Sequence, residues 1–217
     1  MIMTERPTIE RLPINDEFAR PADSAAIQRA AEALRTHGFD AQIVGDGEAA
    51  RELLLSLIAD GAEVGEGASK TMDQIGVTEI IEKGGHYDAI RPRTRSMDRA
   101  TQMREIRKLV AAPDVQLGSV EAVTEDGQLV LASASGSQLG PISSGAGRVI
   151  LVVGSQKVVP DLETAFRRVE EYSYPMVDAM AQEAYGRHSA INKLLVLNGE
   201  PVHGRSTVIL VREPVGV

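Results

Sequence analysis

Residues 145–171 read GAGRVILVVGSQKVVPDLETAFRRVEE, and they carry the clearest fold signal of the chain. Val149 to Val153 is an unbroken apolar run, which is typical of a strand buried on both faces of a parallel sheet. A helix is predicted to begin at Asp161 and to end near Tyr172. Lys157 follows the strand, where ligands of open α/β sheets usually bind, and is therefore a candidate catalytic residue.

Predicted strands and helices alternate along the rest of the chain. This order predicts a layered α/β domain with a mostly parallel sheet. We expect residues 1–20 to form an extended arm and residues 21–217 to form a single domain. Apart from the central stretch, the predicted strands cover residues 41–44, 62–64 and 87–90, and the predicted helices cover 23–37, 48–60, 70–75, 95–112 and 175–185.

Two β-hairpins are predicted in the second half of the chain. Asp126-Gly127 lies between two runs rich in β-branched residues, 119–124 and 128–132, and Asp-Gly in that setting indicates a hairpin. The second hairpin is predicted to join 193–197 to 206–213 through a turn at Asn198-Gly199-Glu200-Pro201. We expect both hairpins to be added to the parallel sheet.

The composition is that of a globular protein. The 217 residues are 43% hydrophobic and 25% charged, and none is a cysteine. The absence of cysteine excludes disulfides, a cysteine nucleophile, and cysteine-ligated zinc or iron–sulfur clusters within these residues. The apolar stretches are too short to cross a bilayer, and charges interrupt the first residues before a signal peptide could form. We therefore expect a cytoplasmic protein without a membrane partner.

The charge is unevenly distributed along the chain. The net charge is −8, yet residues 91–108 contain seven basic residues against two acidic ones. This stretch is either a solvated helix face or a positive rim that attracts a small anion or an acidic partner. Nucleic acid is disfavoured as a partner because the stretch has no aromatic residue on which bases could stack.

A glycine-containing loop between a predicted strand and a predicted helix is the best local candidate for a binding site. Glycines and the first amides of a helix form a site for phosphate or carboxylate. The spacing fits neither a P-loop nor a dinucleotide fingerprint. The structural alternative is a tight turn in which a serine caps the helix. The candidate ligand-binding residues of this loop are Gly67, Ser69, Lys70 and Thr71.

A second loop of small residues, 133–147, either approaches the ligand or is a surface linker. Glu121, in the first predicted hairpin, is either a general base or a carboxylate that faces solvent. The four histidines are scattered without metal-ligand spacing, so no metal site and no cofactor are predicted. The candidate ligand-binding residues of the second loop are Ser135, Gly136, Ser137 and Gln138.

Several separated motifs resemble the LUD domain, which is named for lactate utilisation. Residues 67–76 resemble its G-x-S-x-T-x-x-x-x-G motif, residues 119–127 its hairpin, and residues 145–171 its strand–lysine–helix core. The closing segments 185–195 and 204–213 are similar to a bacterial subgroup without cysteine. The resemblance extends over roughly residues 22–217.

The resemblance implies a three-layer, Rossmann-like α/β/α fold, related to sugar-phosphate isomerases, glucosamine-phosphate deaminases and CoA transferases. It also implies the role of the lactate-utilisation C-type subunit, which works with iron–sulfur partners that oxidise lactate to pyruvate. That subunit has no settled catalytic residues, so none is transferred. This chain also departs from the pattern, since many relatives have Asn-Ala in place of Glu121-Ala122 and Gly-Asn-Arg in place of Gly136-Ser137-Gln138.

Three functional hypotheses follow. The first is an accessory or small-anion-binding subunit of lactate oxidation. The second is a stand-alone enzyme that acts on a small phosphorylated or carboxylated metabolite, for which Lys70 and a carboxylate must converge in one pocket. The third is an interaction module that binds an acidic partner through its basic stretch. A homodimer is compatible with all three, because the aliphatic run 208–211 suits an interface as well as a core.

Overall fold

The computed structural model describes residues 11–217, which form two β-sheets with α-helices packed against them. The strands are β1 Asp40–Val44, β2 Glu63–Glu66, β3 Asp88–Ala89, β4 Val115–Gly118, β5 Ala122–Thr124, β6 Leu129–Ser133, β7 Arg148–Gly154, β8 Val158–Val159, β9 Lys193–Leu197 and β10 Ser206–Val211. The helices are α1 Ser24–Thr36, α2 Gly47–Ser56, α3 Lys70–Gln74, α4 Val77–Lys83, α5 Ile90–Ser96, α6 Met103–Ala111, α7 Leu162–Arg168 and α8 Tyr174–Tyr185.

The larger sheet has six strands in the order β1-β10-β7-β4-β2-β3, and all neighbouring strands are parallel. Side chains of β7 alternate between its two faces: Val149 and Leu151 belong to one apolar cluster, whereas Ile150 and Val152 belong to another. Helix α1 contributes to the first cluster, and α2, α3 and α4 contribute to the second. The predicted three-layer α/β/α fold is therefore confirmed, and its central strand is apolar throughout because both of its faces are covered.

The smaller sheet has four strands in the order β8-β5-β6-β9. Its β5 and β6 form the predicted hairpin, with Gly127 at a φ of +80° in the turn, but the hairpin lies in this second sheet and is not added to the parallel one as expected. A side chain at Gly127 would collide with the backbone of α1 at Ala33, so glycine is required there for close packing as well as for the turn.

The second predicted hairpin is wrong. Strand β9 pairs with β6, while β10 lies between β1 and β7 in the larger sheet. The reason is burial: every residue of β10 is buried, whereas β9 is partly exposed. Glu200, in the connection, accepts hydrogen bonds from Arg205 (2.7 Å) and the Ser206 hydroxyl (2.6 Å), which anchors the crossing to the start of β10.

The basic stretch forms two helices, α5 and α6, rather than one. The break is stabilised by Asp98, whose carboxylate accepts hydrogen bonds from the Thr101 hydroxyl (2.7 Å) and the Ala100 amide (2.9 Å). A short side chain that binds the local backbone in this way competes with helix formation. Arg93 and Arg95 pair with acidic residues of neighbouring elements at distances of 2.7–3.0 Å, so part of the positive charge is neutralised.

The predicted arm falls partly outside the described residues, since residues 1–10 are not among them. In its described part, Asp16–Ala19 form a 3-10 helix capped by Asn15. The side-chain amide of Asn15 also donates to Glu171 at 2.8 Å, which places this segment against the domain. Among residues 11–217, no helix is both long and apolar enough to cross a membrane.

Candidate functional site

A pocket of about 320 Å³ lies at the carboxyl edge of the larger sheet. Three loops meet there: residues 67–71 follow β2, residues 119–121 follow β4, and Lys157 follows β7. Because β2, β4 and β7 are parallel neighbours, the loops after them converge at one edge. The fold thus brings together side chains that are far apart in the sequence.

Lys157 is a buried cation within this pocket. Only 3% of the residue is exposed, and Nζ donates to Thr71 Oγ1 (3.2 Å) and Ser119 Oγ (2.9 Å). An ammonium group has three N–H donors, so a third remains for a ligand. Burial and the positive charge of Arg168 lower the pKa of Lys157 to about 7, although the negative charge of Glu121 opposes them.

Glu121 lines the same pocket from the loop between β4 and β5. Its Oε2 accepts a hydrogen bond from the Ala132 amide at 2.8 Å. Burial raises the pKa of Glu121, although the Ala132 hydrogen bond and the positive charge of Lys157 oppose that rise. The carboxyl and the ammonium group thus have pKa values shifted towards each other, which suits a pair that exchanges protons with a ligand.

Arg168 supports this arrangement from behind the pocket wall. It is completely buried, and its guanidinium donates to the Glu121 backbone carbonyl, the Ser173 hydroxyl (2.9 Å) and the Gln156 carbonyl (3.1 Å). Burial lowers the pKa of Arg168 to about 10. The sequence did not single out this residue. Its spacing from the buried Ala165 and Tyr172 is the signal that could have placed it on the inner face of the helix.

The glycine-containing loop supplies further polar groups. Ser69 Oγ accepts from the Met72 amide at 3.3 Å and thus caps α3, as the structural alternative predicted. Thr71 is buried and binds Lys157, whereas Lys70 is exposed at the pocket. Helix α3 has only five residues, so Lys157 and Lys70 supply most of the positive charge. All four candidates of this loop line the pocket: Gly67, Ser69, Lys70 and Thr71.

The second candidate loop contributes one residue to the pocket lining, Gln138, which packs opposite Gly67. The other candidates, Ser135, Gly136 and Ser137, lie outside that lining. Lys193 of β9 donates to the Ser135 carbonyl at 2.8 Å. A side chain at Gly136 would collide with the aliphatic part of Lys193. This part of the loop therefore packs against β9.

Helix α8 forms an apolar wall of the pocket. The lining residues Val177, Met180, Ala181 and Ala184 have the spacing of a single helix face. Val177 is 41% exposed and Met180 is 36% exposed, so two large apolar side chains lie at the mouth. The sequence did not reveal this wall, because a short apolar helix face is equally suited to a core.

A smaller cavity of about 60 Å³ adjoins the pocket and shares Glu121, Ser173 and Val177 with it. Beside it, the buried Asp178 carboxylate accepts from His188 Nδ1 (2.9 Å) and from the Ser189 amide (2.6 Å). These bonds attach the segment after α8 to the helix. Within residues 11–217, no three histidine, aspartate or glutamate side chains are grouped so that they could hold a metal ion.

A parallel sheet with helices on both faces and a pocket at its carboxyl edge defines a Rossmann-like α/β/α domain. The family model of the LUD domain matches residues 27–209, so the chain belongs to the LUD domain family and the predicted resemblance is confirmed. The crystal structure of a DUF162 family protein from Deinococcus radiodurans is similar, with a TM-score of 0.52 and 16% sequence identity. That similarity covers 88% of this chain and 99% of the other, and it shows the fold alone. A comparison with curated proteins gave no significant match.

Proposed function

We propose that the protein is an enzyme that binds a small carboxylated or phosphorylated metabolite and transfers a proton on it. One observation carries this proposal: Lys157, Lys70 and Glu121 line one pocket. This convergence is what the stand-alone enzyme hypothesis requires. The fold class alone does not indicate this function, because unrelated functions share such folds.

The chemistry assigned to the pair is proton abstraction from a hydroxyl-bearing carbon next to a carbonyl group. The Glu121 carboxylate accepts the proton from carbon, while the Lys157 ammonium donates a proton to the carbonyl oxygen, which gives an enediol. Glu121 then delivers its proton to the former carbonyl carbon, while the Lys157 amine takes the proton of the adjacent hydroxyl, which becomes the new carbonyl; this completes an isomerisation and restores both residues. The pKa of Lys157, lowered to about 7, lets it donate a proton near neutral pH, and burial raises the pKa of Glu121, which makes its carboxylate a stronger base.

Exchange of substrate C–H for deuterium in D₂O, followed by NMR, tests this proposal without knowledge of the product. The panel contains lactate, pyruvate, longer 2-hydroxy and 2-oxo acids and several sugar phosphates. We expect exchange with one class of compound, and we expect Glu121→Gln and Lys157→Met to abolish it. Lys108→Met, on the exposed face of α6, is the control and should retain full exchange.

Thermal-shift measurements on the same panel separate binding from turnover. A ligand at about 100 times its dissociation constant stabilises the fold by ~2.7 kcal/mol, which is readily measured. Binding without exchange would contradict the enzymatic role and leave the binding role. If no anion in the panel stabilises the protein, the pocket does not bind small anions and the proposal fails.

The second candidate is an accessory, small-anion-binding subunit of lactate-to-pyruvate oxidation. Membership of the LUD domain family favours it, together with two lysines placed to bind a carboxylate. In this role, iron–sulfur partners carry the electrons and the chain holds the acid. Lactate binding without deuterium exchange, together with stable association with iron–sulfur proteins, would support this candidate over the first.

A further inference from the structure

The pocket is larger than a three-carbon acid requires. Its volume is about 320 Å³, within the range of about 300–1,000 Å³ typical of sites for drug-sized ligands. Lysine and glutamate side chains lie at the carboxyl ends of the strands, whereas the wall formed by α8 is apolar. A lactate-sized molecule at Lys157 would leave most of that wall uncovered.

The α8 wall offers an apolar surface to an extended apolar group. Ala181 and Ala184 are small, while the larger Val177 and Met180 lie on the same helix face. The pocket lining also includes the apolar residues Leu117, Val120 and Ile142. Burial of exposed apolar surface is favourable, so an apolar group that covered Val177 and Met180 would contribute to affinity.

We propose that the ligand is an anion with an apolar tail of medium length, whose head binds Lys157 and whose tail lies along α8. The inference rests on the proposed function, since it assumes that the pocket binds an anion. Straight-chain 2-hydroxy acids and alkyl phosphates share this chemistry. The two head groups are distinguished by experiment.

Two series of compounds of increasing chain length, one of 2-hydroxy acids and one of alkyl phosphates, test the inference on the full chain. Binding of 2-hydroxy acids with three to eight carbons, and of alkyl phosphates of matching length, is measured by calorimetry. Each methylene buried along α8 should improve affinity about fourfold, since burial of a CH₂ contributes ~0.8 kcal/mol. The compound class whose shortest member binds more tightly identifies the head group.

A matched pair of variants locates the tail. Ala181→Leu narrows the apolar part of the pocket and should end the gain at a shorter chain length. Ala179→Leu makes the same substitution on the same helix outside the pocket lining and should retain the full gain. Unfolding temperatures without ligand show whether either variant alters the fold.

The outcomes separate the two proposals. An affinity that is independent of chain length overturns the proposal that a tail lies along α8, but leaves the proposed anion binding intact. A gain that persists in Ala181→Leu also overturns it, because the tail then lies elsewhere. Failure of every acid and phosphate to bind overturns both proposals. A gain that is shortened only in Ala181→Leu supports the tail along α8.

Discussion

Nζ of Lys157 lies 3.2 Å from Oγ1 of Thr71, although the two residues are 86 positions apart in the chain. Thr71 belongs to α3, which follows β2, whereas Lys157 follows β7, and β4 separates these strands in the sheet. The hydrogen bond therefore spans the carboxyl edge of three strands. Ser119, after β4, completes the link through its own bond to Lys157 at 2.9 Å.

The first prediction concerns the pH dependence of anion binding. The pKa of Lys157 is lowered to about 7, so its positive charge is present below that pH and lost above it. Affinity for a small anion should therefore fall as pH rises through about 7. Titrations of any ligand from the panel across this range measure the effect. Lys157→Met should bind weakly at every pH, and an affinity that does not change with pH in the unsubstituted protein would exclude this role.

The second prediction concerns Arg168. Its charge helps to lower the pKa of Lys157, so Arg168→Met should move the pH midpoint of anion binding upwards. The same variant leaves its three acceptors without a donor, at a cost of about 1–3 kcal/mol each in unfolding free energy. Arg168→Lys keeps a charge and should hold the midpoint near 7. Equal midpoints in both variants would show that the charge has no such effect.

The third prediction concerns the hairpin that packs on α1. Gly127→Ala and Gly204→Ala both place a side chain at a positive φ, +80° and +77°. The new methyl group at residue 127 would lie 2.7 Å from the α1 backbone, whereas residue 204 has open space around it. Urea unfolding should show a loss of about 1 kcal/mol for Gly204→Ala and a larger loss for Gly127→Ala. Equal losses would mean that α1 moves aside without cost.

The fourth prediction concerns Glu66, at the end of β2. Its side chain is 2% exposed, and burial raises its pKa from 4.5 to about 7, although a hydrogen bond from Thr78 opposes the rise. The folded protein holds this proton at pH values where the unfolded chain releases it. Stability should therefore fall, by at most about 3 kcal/mol, as pH rises from about 4.5 to 7.

Glu66→Gln should remove most of that fall, because the amide does not titrate. Glu79→Gln, on the exposed side of α4, is the control and should keep the pH dependence of the unsubstituted protein. Denaturant unfolding at several pH values measures both variants. If Glu66→Gln retains the full fall in stability, Glu66 is not the group responsible.

The sequence by itself determined the elements whose signals are local. The apolar run of β7 indicates a strand covered on both faces, and Asp126-Gly127 indicates a tight turn, because burial and turn geometry depend on neighbouring residues. Lys157 and the loop at 67–71 each follow the carboxyl end of a predicted strand, and this position alone made them candidate site residues. The separated motifs also identified the LUD domain family.

The tertiary structure alone decided which strands pair and which side chains meet. The local sequence of β10 does not show whether it pairs with β9 or with β1 and β7. Strand partner and register depend on contacts between segments that are distant in the chain. The burial of Arg168 behind Glu121, and the alignment of α8 along the pocket, depend in the same way on how the helices pack. The pocket chemistry arises from this packing, since the pKa of Lys157 is lowered by burial and by the nearby charge of Arg168, and folding supplies both.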